Sequence, residues 1–289
     1  MTLEQLRIFI AVAEREHLTR AAQALNLTQS AVSAAVAALE ARYDVKLFDR
    51  VGRGIALTEA GRLFLPEARD VLTRAHEAEA ALFDVAGALR GTLRLAASQT
   101  VGNYWLPEAM ARFHQAWPGL ALSLDISNTE RAAARVLAGE ADIGIVEGQV
   151  DEPRLDQRKL TGDTMLLILP LGQTMPSTAA EWAAARFVVR EAGSGTRLML
   201  ADHLKGMGLA LDAGNIVMEL PSNEAVRTAV EAGAGLSLIS ALVASRAVRA
   251  GLLQGHDIGL APRDFYVLRR RERGQTRAET AFIAALGAG

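Results

Sequence analysis

Apolar residues recur at helical spacing from the start of the chain. Leu6, Phe9, Ile10 and Ala13 fall at i, i+3, i+4 and i+7, and Thr2 followed three positions later by Gln5 is a capping-box signal, so a first helix is expected here. A second helix is expected from Thr19, carrying Ala21, Ala22, Ala24 and Leu25, with Asn26 ending it in a tight turn. A third begins after Thr28, whose hydroxyl can cap it. It turns Val32, Val36 and Leu39 inward and Gln29, Ser30, Ser33 and Ala37 outward. Apolar runs at 45–48 and 55–57 then flank Asp49-Arg50-Val51-Gly52-Arg53-Gly54, the tip of a hairpin bearing two arginines.

From Thr58, a good N-cap, a helical pattern runs to about residue 85. Phe64, Ala68, Val71, Ala75, Ala78, Leu82 and Val85 alternate by four and three, which is a heptad seam. Pro66 lies near the start of this helix, where it is tolerated best. Most apolar stripes pack on their own globular domain. This one sits on a spacer between two units and keeps a 3.5-residue period, which favours dimerisation through those seven residues. The alanines imply close packing with limited buried area.

The remaining residues alternate strand and helix patterns. Strands are expected at 93–97, 120–126 and 142–146 with helices at 107–117 and 130–138, a βαβαβ rhythm that predicts a parallel sheet flanked by helices. A second set repeats it, with strands at 165–169, 187–190, 216–220 and 236–239 and helices starting near Thr196, Ser222 and Ala241. The chain returns through a strand at 265–269 and a last helix at 276–286. The fold class is therefore α/β behind a small helical N-terminal unit, and two sheets predict two lobes with a cleft between them.

Composition narrows the function classes. Half of the 289 residues are hydrophobic and 22% are charged, which excludes disordered and fibrous classes. The absence of cysteine excludes a disulfide scaffold, a Cys-ligated metal site and a thiol nucleophile, and fits a reducing compartment. The uncharged run between Glu231 and Arg246 is shorter than the roughly 20 residues a membrane span needs. Met1-Thr2-Leu3-Glu4 lacks the basic and apolar regions of a signal peptide, so a cytoplasmic protein with no membrane association is expected. The net charge is −2, with 31 basic against 33 acidic residues. Nucleic-acid binding must then come from a local patch and a specific shape.

Two short helices joined by a tight turn, the second with a small, polar outer face, make a helix-turn-helix that fits the DNA major groove. The basic hairpin beside it suits a phosphate or minor-groove contact. An ordinary three-helix cluster in an enzyme or adaptor has the same periodicity. The stretches Leu6-Arg7-Ile8-Phe9, Leu18-Thr19-Arg20-Ala21-Ala22, Leu27-Thr28-Gln29-Ser30-Ala31-Val32-Ser33, Leu47-Phe48-Asp49-Arg50 and Leu57-Thr58-Glu59-Ala60-Gly61 occur in order at fixed spacings. Residues 1–65 thereby resemble the winged helix-turn-helix of LysR-type transcriptional regulators. The resemblance implies that Gln29 and Ser33 face bases and that Arg53 reaches the minor groove, with Thr28, Ser30 and Arg50 completing the DNA-binding set. The chain departs from many members in carrying Ser30 where they have proline and Ala34 where they have arginine.

The resemblance extends over the whole chain. It implies a linker helix at 58–89 and an effector-binding domain at 90–289 with the type 2 periplasmic-binding-protein fold. Lobe I would take in 90–161 and 263–289 and lobe II 162–262, with crossings near Thr161-Gly162-Asp163 and Ala261-Pro262-Arg263. The partners implied are double-stranded DNA, a small-molecule effector, a second copy or three further copies of the chain, and RNA polymerase, with no cofactor and no metal.

In open α/β sheets a ligand lies beyond the carboxyl ends of the strands, at helix N-termini that offer free amides to an anion. Three strand ends here carry polar side chains: Ser98, Gln99 and Thr100; Asn128 and Thr129 after Ser127; and Ser194 and Thr196 among glycines. The plain alternative is that each only caps a helix. Convergence on one cleft favours ligand binding. The stretches 190–197, 98–104 and Val146-Glu147-Gly148 resemble the subgroup with CysB-like, CysL-like and carbon-fixation regulators, several of which respond to small anions, so an anionic effector is expected. Glu147 would repel an anion unless Arg197 or Arg190 balances it; as a plain reading it is a solvated loop residue. Among enzymes, the widely spaced His17, His76, His114, His203 and His256 form no metal pair, and no Gly-x-Ser-x-Gly elbow or phosphate-binding loop occurs. A solute-binding protein shares the two-lobed fold, but would need a signal peptide and would leave the helix-turn-helix unexplained.

Overall fold

The computed structural model describes residues 1–287 apart from 53, 86 and 88, and falls into two compact units, 1–88 with 138–140, and 89–137 with 141–289. In the first unit, α1 (Leu3–Arg15) opens on a complete capping box, the Thr2 hydroxyl accepting from the Gln5 amide at 3.2 Å and the Gln5 side chain accepting from the Thr2 amide at 3.0 Å. The second helix, α2 (Leu18–Leu25), starts ahead of the expected Thr19. His17 holds the cap position without a side-chain bond, and the Thr19 hydroxyl donates instead to Gln29 Oε1 at 3.3 Å. Asn26 ends α2 in the left-handed region at φ 55°, which its short polar side chain tolerates. Thr28 caps α3 (Gln29–Tyr43) by accepting from the Ala31 amide at 3.2 Å.

The three helices close over Leu6, Phe9, Val12, Val32 and Leu39, all buried. Strands β1 (Phe48–Val51) and β2 (Gly54–Leu57) pair antiparallel as the expected hairpin. Buried Glu40 ties α3 to that wing, accepting from the amides of Leu47 at 2.8 Å and Phe48 at 3.2 Å and from Lys46 at 2.7 Å.

The long helix α4 (Glu59–Val85) runs through Pro66 without interruption. Its entry is tight: a Cβ on Gly61 would lie 2.2 Å from the Leu47 carbonyl oxygen, so only glycine fits. The proposed seam divides here. Phe64 packs on Phe9 with ring centroids 5.0 Å apart and Ala68 is fully buried, so these two belong to the core of their own unit. The first turns of α4 cover the apolar face that α1 and α3 leave open. Farther along, Val71, Leu82 and Val85 are 40%, 72% and 88% exposed.

In the second unit, β3 (Gly91–Ser98) leads through a π-helical turn, Val101–Trp105, into α5 (Leu106–Ala116), followed by β4 (Leu120–Ser127), α6 (Thr129–Leu137), β5 (Ile143–Glu147) and β6 (Leu155–Asp163). The chain crosses into a second lobe with β7 (Met165–Leu169), α7 (Ala179–Ala184), β8 (Phe187–Arg190), α8 (Gly195–Gly206), β9 (Ile216–Leu220), α9 (Asn223–Glu231), β10 (Ser237–Ser240), α10 (Ala241–Arg249) and β11 (Gln254–His256). It returns as β12 (Arg263–Arg270) and α11 (Arg277–Leu286).

The parallel expectation holds for β4, β3 and β5; β12, whose direction the sequence leaves open, lies antiparallel between β5 and β6 in the order β4-β3-β5-β12-β6. The reason is directional. β6 ends and β12 begins at the crossing, beyond the carboxyl ends of the parallel strands, so the returning strand must run the other way. In the second lobe the repeated parallel pattern holds only for β8 and β9; β7 is antiparallel to both β10 and β11, in a separate sheet, because β10 and β11 run back along it in the opposite direction.

Candidate functional site

In the first unit, Thr28, Gln29, Ser30 and Ser33 lie exposed on the first turns of α3, and Arg50 lies exposed on β1. Each short side chain has a defined setting. Thr28 and Ser30 share a hydroxyl–hydroxyl bond of 3.0 Å, and the Thr19 contact orients the Gln29 amide. With Val32 and Val36 anchoring the other face, the exposed side of α3 is polar over its first turns and continues as small alanines, Ala34, Ala37, Ala38 and Ala41. Arg53 falls outside the described residues.

The second unit brings six of the eight expected cleft residues into one connected hydrogen-bonded cluster. Its centre is Arg263, the first residue of β12. The Arg263 side chain donates to Asp163 through Nε at 3.1 Å and Nη2 at 2.9 Å, and to Thr196 Oγ1 at 3.3 Å and Thr100 Oγ1 at 3.4 Å. Its Nη2 is 3.8 Å from Glu147 Oε1. That carboxylate accepts from the Thr100 amide at 3.2 Å and from the Thr129 hydroxyl at 3.3 Å. Asp163, Glu147, Thr100, Thr196 and Arg263 are all buried. Glu147 is therefore no solvated loop residue, and neither Arg197 nor Arg190 is the cation beside it. Burial alone would raise its pKa; the Arg263 guanidinium and the hydroxyls of Ser98 and Thr100 outweigh burial and hold it below the usual carboxylate value.

A second strap joins the lobes. Gln99 donates to the Pro221 carbonyl at 2.8 Å and accepts from the Asn223 amide at 3.0 Å. Asn223, at the start of α9, donates to Thr100 Oγ1 at 3.1 Å and accepts from buried Arg190 at 2.7 Å. On the other side, Asn128 donates to Glu191 Oε1 at 3.1 Å, and its own Oδ1 caps α6 by accepting from the Arg131 amide at 2.9 Å. Of the hydroxyls weighed as caps, Thr100 and Ser194 sit at cap positions without a side-chain cap bond, and Thr196 lies inside α8. Ser98 is buried at the end of β3, facing the Glu147 carboxylate, and Ser194 is buried at the mouth of α8.

Three members of the cluster, Thr129, Glu147 and Arg263, line a cleft of about 550 Å³ together with Ser194, Val150, Leu198 and Met199. Gly193, at φ +82°, turns the chain along this cleft, and a Cβ there would also meet the Glu130 carboxylate at 2.3 Å. The sequence reading missed Arg263, Asp163 and Asn223 as site residues. Opposite charges at both expected crossings were the available signal.

Among the described residues no group of His, Asp and Glu could hold a metal ion, and no helix is long and apolar enough to cross a membrane. Residues 3–62 match the model of the bacterial regulatory helix-turn-helix protein, lysR family, and residues 86–289 match the LysR substrate binding domain. The chain is 36% identical to the HTH-type transcriptional regulator YeiE of Escherichia coli K12 over 261 residues, covering 88% of this chain and 85% of that one. It is 33% identical to the RuBisCO operon transcriptional regulator of Allochromatium vinosum over 288 residues, covering 98% and 94%. Among solved structures, CbnR, a LysR family transcriptional regulator, superposes with a TM-score of 0.71 at 23% identity, covering 99% of this chain and 98% of that one. Full-length CbnR in complex with its target DNA gives 0.68 at 24% identity, covering 99% of each. Matches over both units place the chain in the LysR family of transcriptional regulators, with an N-terminal helix-turn-helix and an effector-binding domain.

Proposed function

We propose that this regulator reads promoter DNA with residues 1–65, through Thr28, Gln29, Ser30 and Ser33 on α3 and Arg50 and Arg53 on the wing, and that a small anionic effector bound between the lobes sets its output. The protein works in the cytoplasm without catalysis, as a homodimer or homotetramer whose paired helix-turn-helix units read two half-sites and whose DNA-bound form meets RNA polymerase. The observation that carries this reading is the buried cluster of Thr100, Thr129, Glu147, Thr196 and Arg263. It draws on both lobes, and its members Thr129, Glu147 and Arg263 line an open cleft, so a ligand that engages them favours one lobe arrangement over another. Thermal-shift screening of small carboxylates and inorganic oxyanions against the full chain, followed by footprinting of the native promoter with each hit, tests it. A ligand that binds only the folded state raises the melting temperature, and the effector must also change the footprint. A hit that stabilises the protein and leaves the footprint unaltered counts against the cleft as the regulatory site.

A further inference from the structure

An anion entering the cleft meets a carboxylate already seated among the donors. Glu147 takes the Thr100 amide on Oε1 and the Thr129 hydroxyl on Oε2, and Arg263 stands 3.8 Å away. Arg263 is itself paired with Asp163, so the buried trio carries one net negative charge. A second anion placed beside the buried Glu147 carboxylate would add like charge next to one already withdrawn from water, which is unfavourable. Exchange of one carboxylate for another leaves the charge count unaltered.

The surroundings allow that exchange. Glu147 ends β5, and the next residue is Gly148 at φ +75° with open space about its Cα. Glu147, Gly148 and Thr129 all line the cleft, so a displaced side chain has about 550 Å³ to enter. The seat also abuts the second lobe: a Cβ on Gly195, the first residue of α8, would lie 3.4 Å from the Glu147 carbonyl oxygen and 3.4 Å from Thr129 Oγ1.

We propose that the Glu147 carboxylate is a built-in stand-in for the effector's carboxylate or other oxyanion, which binds by taking its place against the Thr100 amide, the Thr129 hydroxyl and Arg263. The inference rests on the reading that the effector lies in this cleft. In the ligand-free protein the stand-in keeps the donors satisfied. The effector then binds only as tightly as it outcompetes a tethered carboxylate of the same chemistry.

Acetate, the functional group of the removed side chain, is the probe. Its binding to the full-length wild type, Glu147→Ala, Glu147→Gln and the double variant Glu147→Gln/Thr129→Ala is measured by calorimetry at constant ionic strength. Glu147→Ala and Glu147→Gln are expected to bind acetate at least about tenfold more tightly than wild type, and the double variant to lose the gain. A folded single variant with wild-type acetate affinity overturns the proposal, as does a gain that survives in the double variant. Should Glu147→Ala not fold, Glu147→Gln retains the side-chain volume and decides alone. Promoter footprints on the same samples separate the two readings. A gain in acetate binding with a footprint that never responds upholds the stand-in and defeats regulation through the cleft. An acetate-dependent footprint without any gain does the reverse.

Discussion

Arg263 and Asp163 face each other across β12 and β6 at the two points where the chain crosses between lobes, and the guanidinium grips both carboxylate oxygens at 3.1 and 2.9 Å. Both side chains are buried, so each is the principal charge compensation of the other. The first prediction follows from what remains when one is removed. Arg263→Met leaves Asp163 and Glu147 buried together without a cation and should cost about 3–5 kcal/mol. The double variant Arg263→Met/Asp163→Leu should cost less than Arg263→Met alone. Denaturant titration followed by a probe in the effector-binding domain checks the cycle; a double loss equal to the sum of the singles would show that the two residues act independently.

How much of this was legible in the sequence varies with the chemistry of each segment. The helices of the first unit were readable because Leu6, Phe9, Val32 and Leu39 recur at helical spacing and caps such as Thr2 and Thr28 mark their starts. The buried parallel strands β3 and β5 announce themselves as apolar runs. Strand β6 does not: Asp156, Gln157, Arg158 and Lys159 occupy its middle, because it lies at the sheet edge and buries little besides Leu155 and Asp163. The cleft hydroxyls were found from their positions at strand ends. Their long-range partners are Arg263, itself held by Asp163, and Asn223, which meet Thr100 only through long-range pairing of β12 with β6 and the approach of α9. No local spacing encodes such a meeting. The same holds for Phe64, whose heptad position fits a dimer seam equally well until Phe9 is seen beside it.

Glu40 supplies a pH prediction. Burial raises its pKa, but the hydrogen bonds from Lys46 and from the Leu47 and Phe48 amides outweigh burial, so its folded pKa lies below that of an ordinary glutamate. A carboxyl whose pKa is depressed by folding stabilises the folded state fully above its unfolded pKa. That stabilisation is lost as pH falls from about 4.5 through the folded value. Glu40→Gln should destabilise the helix-turn-helix unit by about 2 kcal/mol at neutral pH and by less in acid. Thermal unfolding followed at pH 7 and pH 3.5 measures this; an equal difference at both values would remove Glu40 as the titrating group.

The exposed part of α4 supplies a prediction about assembly. Val71, Ala75, Ala78, Leu82 and Val85 continue the seam beyond the two residues taken into the unit's own core, and Leu82 and Val85 are 72% and 88% exposed. Leu82→Glu places a charge where a partner helix would pack and costs little on an isolated helix. It should shift sedimentation towards monomer and abolish binding to a promoter with two half-sites, while folding stays intact. Wild-type sedimentation with weakened DNA binding would move the dimer contact elsewhere.

The last prediction concerns how α3 reads bases. Gln29 stands on the first turn of that helix, exposed, and its side-chain oxygen accepts from the Thr19 hydroxyl ten residues earlier at 3.3 Å. The Thr19 bond uses one lone pair of that oxygen and leaves the other, with the side-chain NH2, for a base; a glutamine suits adenine, to which it can present donor and acceptor together. Gln29→Ala should therefore cost about 1–3 kcal/mol on the native promoter and little on a scrambled duplex, relaxing discrimination without changing the salt slope. Thr19→Val, which keeps the helix and deletes the hydroxyl, should reproduce part of that loss because Gln29 must then be ordered at the moment of binding. Arg50→Ala on the wing should do the opposite, weakening both duplexes alike and reducing the salt slope by about one. Gel-shift titrations of the three variants at two salt concentrations, on native and scrambled duplexes, separate these effects. Equal losses on both duplexes for Gln29→Ala would place base reading on Ser33 or elsewhere along α3.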